Sequence, residues 1–219
     1  MPKELPDIVY SNEKIAPYKF TPVVDAKSSL YQIPFDKDPE YFSNFESYNA
    51  FIKGCERLVR QNDRYKKYIS YLKRNVKLNR CQVLKNVTDD DADIEMHHGP
   101  IFNLYDYCSI ITEYFLMRHW KITTPRIAKE VLDEHQRHRI QVVMVSSTVH
   151  EEIHARNIFI NQNQAFGDIS AFIFKYANAI SDEYREKLNR YIDRSLLMDS
   201  TDFGVLELNK ALLDGKEYR

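Results

Sequence analysis

At 219 residues, with 43% apolar and 29% charged residues, the chain has enough material for a well-buried globular core. A formal net charge of −1 does not by itself point to a nucleic-acid binder. No run of about 18 apolar residues and no charged-then-apolar leader at Met1 is visible, so neither a membrane span nor a secretory signal is expected. Three widely separated cysteines, Cys55, Cys81 and Cys108, argue for a reducing, cytoplasmic setting and against a cysteine-built zinc ribbon.

Six of the eight prolines fall within the first 39 residues. Proline fixes φ and removes a backbone donor, so residues 1–40 read as an extended arm, lying along its own domain or gripping a neighbouring subunit. From Tyr41 the pattern turns helical: Phe45, Tyr48, Ile52, Cys55 and Val59 recur at three- and four-residue spacing, as do Tyr65, Tyr68, Ile69 and Leu72. These two helices, within a basic region 44–80, carry a concentrated charge. Between Lys53 and Arg80 stand ten Lys or Arg residues, among them Lys66, Lys67, Lys73 and Arg74, against only Glu56 and Asp63. A solvated helical surface explains such a stripe as readily as a polyanion partner does.

Cys81–Thr88 reads as a strand, followed by the acidic loop "DDDAD" and by "IEMHHGPI", a strand and turn. Leu104–Trp120 reads as a buried helix. "TTPRIAKEVLDEHQRHR" reads as another, capped by Thr124 with Pro125 at its first position. "IQVVMV" is a buried strand, and Ser146–Thr148 supply a cap for the helix of "STVHEEIHARN". "NIFINQNQAFGD" is a short strand pair or loop, and two amphipathic helices, about 169–180 and 182–197, close a domain spanning 41–198 before a tail of 199–219.

Four of the seven histidines sit in two tight motifs, His97-His98 and His150/His154. Residues four apart share a helix face, so the second pair can ligate one cation. "HEEIH" also satisfies the H-E-x-x-H pattern of zinc proteases, in which Glu151 would activate water. The extended form of that pattern requires Gly and His where Asn157 and Ile160 stand, and Glu183 or Glu186 would have to supply a third ligand without distinguishing context. His119, His135 and His138 read as ordinary surface or core histidines.

Taken together, Glu95-Met96-His97-His98, the strand of residues 140–145 and His150-x-x-x-His154 resemble the HNH, or ββα-metal (His-Me finger), nucleases, most closely the colicin-type domains, in a phage-like chain. The resemblance spans roughly residues 95–160. It implies a mainly α fold with a small ββα-metal (α+β) motif: a helical N-terminal region, an HNH-like core with a helical insert, and C-terminal helices. By resemblance His98 is the general base, His97, His150 and His154 hold the metal, and Gln141 occupies the register of the family's Asn. The departure keeps an amide and changes its length. Glu95, two residues before His97, shares its strand face and is a candidate to orient a ligand. The implied activity is divalent-metal-dependent hydrolysis of DNA phosphodiesters, with Mg²⁺ as the physiological ion and Mn²⁺, Ni²⁺ or Zn²⁺ as alternatives. Arg156 and Arg139 would contact phosphate, with Lys66, Lys67, Lys73 and Arg74 supplying backbone contacts to DNA, or to RNA as the alternative partner. The alternative is a catalytically weak or inactive protein of the same fold that binds nucleic acid or serves as a virion structural component. Host cytoplasm or the virion is the expected location.

Overall fold

The computed structural model describes residue 37 and residues 39–84, 86–198 and 205–213. Helices dominate, as the periodicity predicts, and among the described residues the one sheet is a two-stranded antiparallel pair. A short 3₁₀ helix, Pro39–Ser43, leads into α1 (Phe45–Gln61) and α2 (Asp63–Arg74). Asn44 caps α1 by accepting from the Ser47 amide at 3.0 Å, and Asn62 caps α2 by accepting from the Arg64 amide at 2.9 Å. Each cap satisfies a donor that the first helical turn leaves without a partner. Asn62 ends one helix and starts the next, so the two basic helices meet at a one-residue elbow.

α3 (Leu104–Met117) opens with a reciprocal box between Asn103 and Asp106, and α4 (Thr124–Gln136) is capped by Thr123, one residue before the expected position. Thr123 holds the Arg126 amide at 3.3 Å. The apolar faces of α1 (Ile52, Cys55, Val59), α3 (Ile110, Ile111, Phe115) and α4 (Ile127, Val131, Leu132) are buried against one another. Fully burying a side chain of this kind contributes about 1.5–3 kcal/mol, so this three-helix layer contributes substantially to stability. A charged lattice ties α6 (Ile169–Tyr176) to its outer edge. There Glu134, wholly buried, receives Lys175 at 2.6 Å, Arg137 at 3.0 Å and Arg139 at 3.6 Å.

β1 (Ile94–His98) and β2 (Val142–Ser146) pair with Glu95 opposite Val145, His97 opposite Val143 and His98 opposite Val142. β2 is buried along its whole length, whereas β1 alternates, with Ile94, Met96 and His98 inward and Glu95 and His97 outward. The helices between them, α3 and α4, form the insert, and α5 (Ser147–His154) follows β2 without a loop. Ser146 stands at the cap position of α5 and its hydroxyl makes no capping bond, contrary to the expectation for this segment.

Cys81–Thr88 is not a strand. The Gln82 amide bonds Met144 O of β2 at 2.7 Å, but Cys81 N turns back to Val87 O at 2.8 Å, so the segment closes on itself after one contact with the sheet edge. "NIFINQNQAFGD" contributes a 3₁₀ turn, Gln162–Gln164, and one bridge from Phe166 to Val142. Gly167 is required in that stretch, because its φ is 126° and a Cβ there would lie 2.8 Å from Ile140 O. α7 (Asp182–Leu197) follows, and α8 (Val205–Leu213) falls within the stretch expected as a tail. The Asn209 side chain docks α8 by donating to Ala165 O at 2.8 Å and accepting from Gly167 N at 3.0 Å. The expected arm lies largely outside the described residues; Lys37 donates its amide to Ile122 O at 3.0 Å.

Candidate metal centre

Strand alternation and helix periodicity converge on one point. The outward face of β1 carries Glu95 and His97, and α5 packs over that face with His150 and His154 one turn apart. Potential ligand atoms of His97, His150 and His154 all lie within 4.8 Å of one another, and among the described residues this is the one group of three or more such side chains. The rings stand 5.0 Å (His97–His150), 5.3 Å (His97–His154) and 4.8 Å (His150–His154) apart between centroids.

Glu95 sets the chemistry of His150. Its carboxylate accepts from His150 Nδ1 at 2.5 Å, which places the proton on Nδ1 and leaves the Nε2 lone pair toward the cluster. His150 Nε2 and His154 Nε2 are 3.1 Å apart. Two ligands of a tetrahedral ion with bonds of about 2.0–2.1 Å stand about 3.3 Å apart, so this pair is already spaced for zinc. Burial, reinforced by the neighbouring His150 and His154, holds the His97 imidazole down to about 4, so it is neutral and able to coordinate at neutral pH. Gly99 keeps room for it, since a Cβ at that position would come within 3.2 Å of His97 Nε2.

His98 stands apart from this group. It faces the opposite side of β1, is 5% exposed, and stacks on Tyr65 of α2 with ring centroids 5.9 Å apart. Its Nε2 lies 2.9 Å from Nε2 of His135, whose own Nδ1 donates to Val131 O at 2.8 Å. That donation leaves His135 Nε2 as acceptor, so His98 Nε2 is the donor. Burial pushes His98 well below the usual imidazole range and His135 down to about 4, which keeps both rings neutral. Gln141 is fully buried and gives its backbone amide to Tyr107 Oη at 3.0 Å; neither atom of its side-chain amide has a hydrogen-bond partner, so it does not orient His98.

The remaining residues nominated from sequence are scattered. Arg139 is held by Glu134, whereas Arg156 is exposed just past the end of α5, with φ 63°. Lys66, Lys67 and Arg74 are exposed on α2, and Lys73 is half-buried. Glu151 points to solvent, and Glu152 accepts from Asn157 Nδ2 at 2.7 Å, bracing the end of α5. His135, read from sequence as an ordinary histidine, is the partner of His98. Its place in the buried periodicity of α4, four residues after Val131, was the available signal.

The profile of the bacteriophage G278-like virion protein family matches residues 19–217. No curated protein and no solved structure matches the chain.

Proposed function

Because this chain belongs to the bacteriophage G278-like virion protein family, we propose that it is a metal-binding virion component. In this reading the ββα element serves as a metal clip and performs no phosphodiester hydrolysis. The observation that carries the proposal is the separation of the two histidine sets. His97, His150 and His154 converge with Glu95 behind them, while His98, the group that would have to activate water, is spent inside the core on His135. A general base must come within hydrogen-bond reach of its water, and a buried imidazole already donating to a second imidazole does not. Three imidazole nitrogens suit Zn²⁺ or Ni²⁺ better than Mg²⁺, which prefers oxygen ligands in octahedral array. The bound ion would pin α5 to β1 and so fasten the strand pair to the helix that follows it.

A second reading, metal-dependent DNA cleavage, is favoured by the ligand count. Among the described residues three side chains gather, the number that hydrolytic zinc sites use, with the fourth position left for water or substrate. Nicking of supercoiled plasmid in Zn²⁺, Ni²⁺, Mn²⁺ or Mg²⁺ separates the two. The virion-clip reading expects intact plasmid with every ion. Nicking that disappears in His150→Ala would overturn it in favour of the nuclease.

A further inference from the structure

The last two described helices are each apolar over a wider face than the domain covers. α7 meets the domain along a narrow seam of Tyr184, Leu188, Tyr191 and Ser195, at three- and four-residue spacing. Ile192 and Leu196 each follow a seam residue by one position, so they stand on the flank of the helix beside the seam. α8 repeats the arrangement. Val205, Leu208 and Leu212 face the core, and Leu206 and Leu213 follow Val205 and Leu212 by one position. Leu196, Leu197 and Leu213 are 81%, 86% and 70% exposed, and Ile192, Met198 and Leu206 are exposed as well. A lone exposed apolar side chain is ordinary, whereas a cluster of them marks an interaction surface.

One loop holds the two flanks beside each other. Asn161 donates to Ser195 O at 2.8 Å and to Met198 O at 3.1 Å, which fixes the end of α7. The turn it opens, Gln162–Gln164, packs on α8, and Asn209 of α8 bonds the next residues of the same loop, Ala165 and Gly167. The six exposed apolar side chains leave roughly 600 Å² open, the upper end for the largest patch of a soluble monomer and close to the about 800 Å² per partner of a stable interface. Two cations, Arg190 and Lys210, and two anions, Asp193 and Glu207, are exposed on the same helices, and among the described residues none of the four is in an ion pair. A strongly charged partner would call for charges of one sign here. A balanced set complements itself, and at a formal net charge of −1 copies of the chain do not repel one another.

We infer that this surface of α7 and α8 is the contact between two copies of the chain, paired about a two-fold axis that sets the surface against itself. Such a contact requires a self-complementary patch, here an apolar centre accompanied by charges of both signs. The inference needs neither the histidine triad nor a bound metal.

Sedimentation equilibrium of the full chain, from low to high micromolar concentration, tests it. Wild type should show a reversible monomer–dimer equilibrium. Leu196→Glu and Leu213→Glu alter exposed side chains, so each should keep the far-UV circular dichroism of wild type. Each should weaken the dimer by about a hundredfold or more, because the two-fold axis places two unpaired carboxylates in every contact. Phe174→Glu, at an 88% exposed position on α6, should leave the dimer as it was. Raising the salt concentration should also leave it in place, since screening acts on exposed charges and not on the apolar centre. A wild type that stays monomeric across the range, or that grows beyond a dimer, overturns the inference. So does a dimer that both leucine variants leave intact, or that Phe174→Glu weakens equally. A dimer dissolved by salt would assign the contact to opposite charges instead, and overturns it as well.

Discussion

Acidification should weaken the fold through His135, by an amount that follows from its burial. The imidazole is fully enclosed by α2, α4 and β1, and its folded pKa is about 4 against about 6.5 for an exposed histidine. Between those values the unfolded chain binds a proton that the native state refuses. Stability is therefore intact above about pH 6.5, falls as the pH drops through that value, and levels off below about pH 4. For these two pKa values the loss from this one group is about 2 kcal/mol at pH 5 and about 3 kcal/mol once both states are charged. Urea unfolding at pH 7 and pH 5, on wild type and on His135→Gln, measures it. The amide can still bond His98 and does not titrate, so wild type should lose about 2 kcal/mol more than the variant between the two pH values. Equal losses would refute the reasoning, because they would mean that His135 is protonated alike in both states.

Three further outcomes are expected. Glu95→Ala should lower zinc affinity about 10–100-fold in competition with a chromophoric chelator while leaving the melting temperature of the metal-free protein little changed, since the carboxylate is 47% exposed. Gly167→Ala should destabilise the protein by about 1–3 kcal/mol in thermal unfolding, because the new Cβ meets the Ile140 carbonyl at a backbone angle that side chains rarely adopt. Glu134→Leu should cost no more than about 1 kcal/mol in urea unfolding, since Arg137 and Arg139 reach solvent and Lys175 keeps Glu130 at 2.6 Å.

Much of the site was legible because its geometry is local. An i, i+4 pair of histidines must share a helix face, and Glu95 and His97 must share a strand face, whatever the rest of the chain does. The same alternation required His97 and His98 to point in opposite directions. Which direction leads into the core depends on where α2 and α4 pack, and neither motif contains that information. His98 is buried because Tyr65 and His135, 33 and 37 residues away in the chain, close over it. A resemblance built on motif spacing carried a role onto His98 without carrying its surroundings. The helices were read well because their apolar periodicity runs for three or more turns. Cys81–Thr88 was not, since a short apolar run cannot distinguish a strand from a turn that touches a sheet edge once. α8 is short, and Val205, Leu208 and Leu212 pack it on the core at i, i+3 and i+7, while Asn209 adds a polar anchor that hydrophobic periodicity does not register.

The zinc content of the purified chain tests the central claim most directly. Equilibrium dialysis against Zn²⁺ followed by elemental analysis should find one ion per chain, lost in His97→Ala and in His150→Ala and retained in His135→Gln. A wild-type protein that emerges without zinc, or one that keeps it after either triad histidine is removed, would contradict the account.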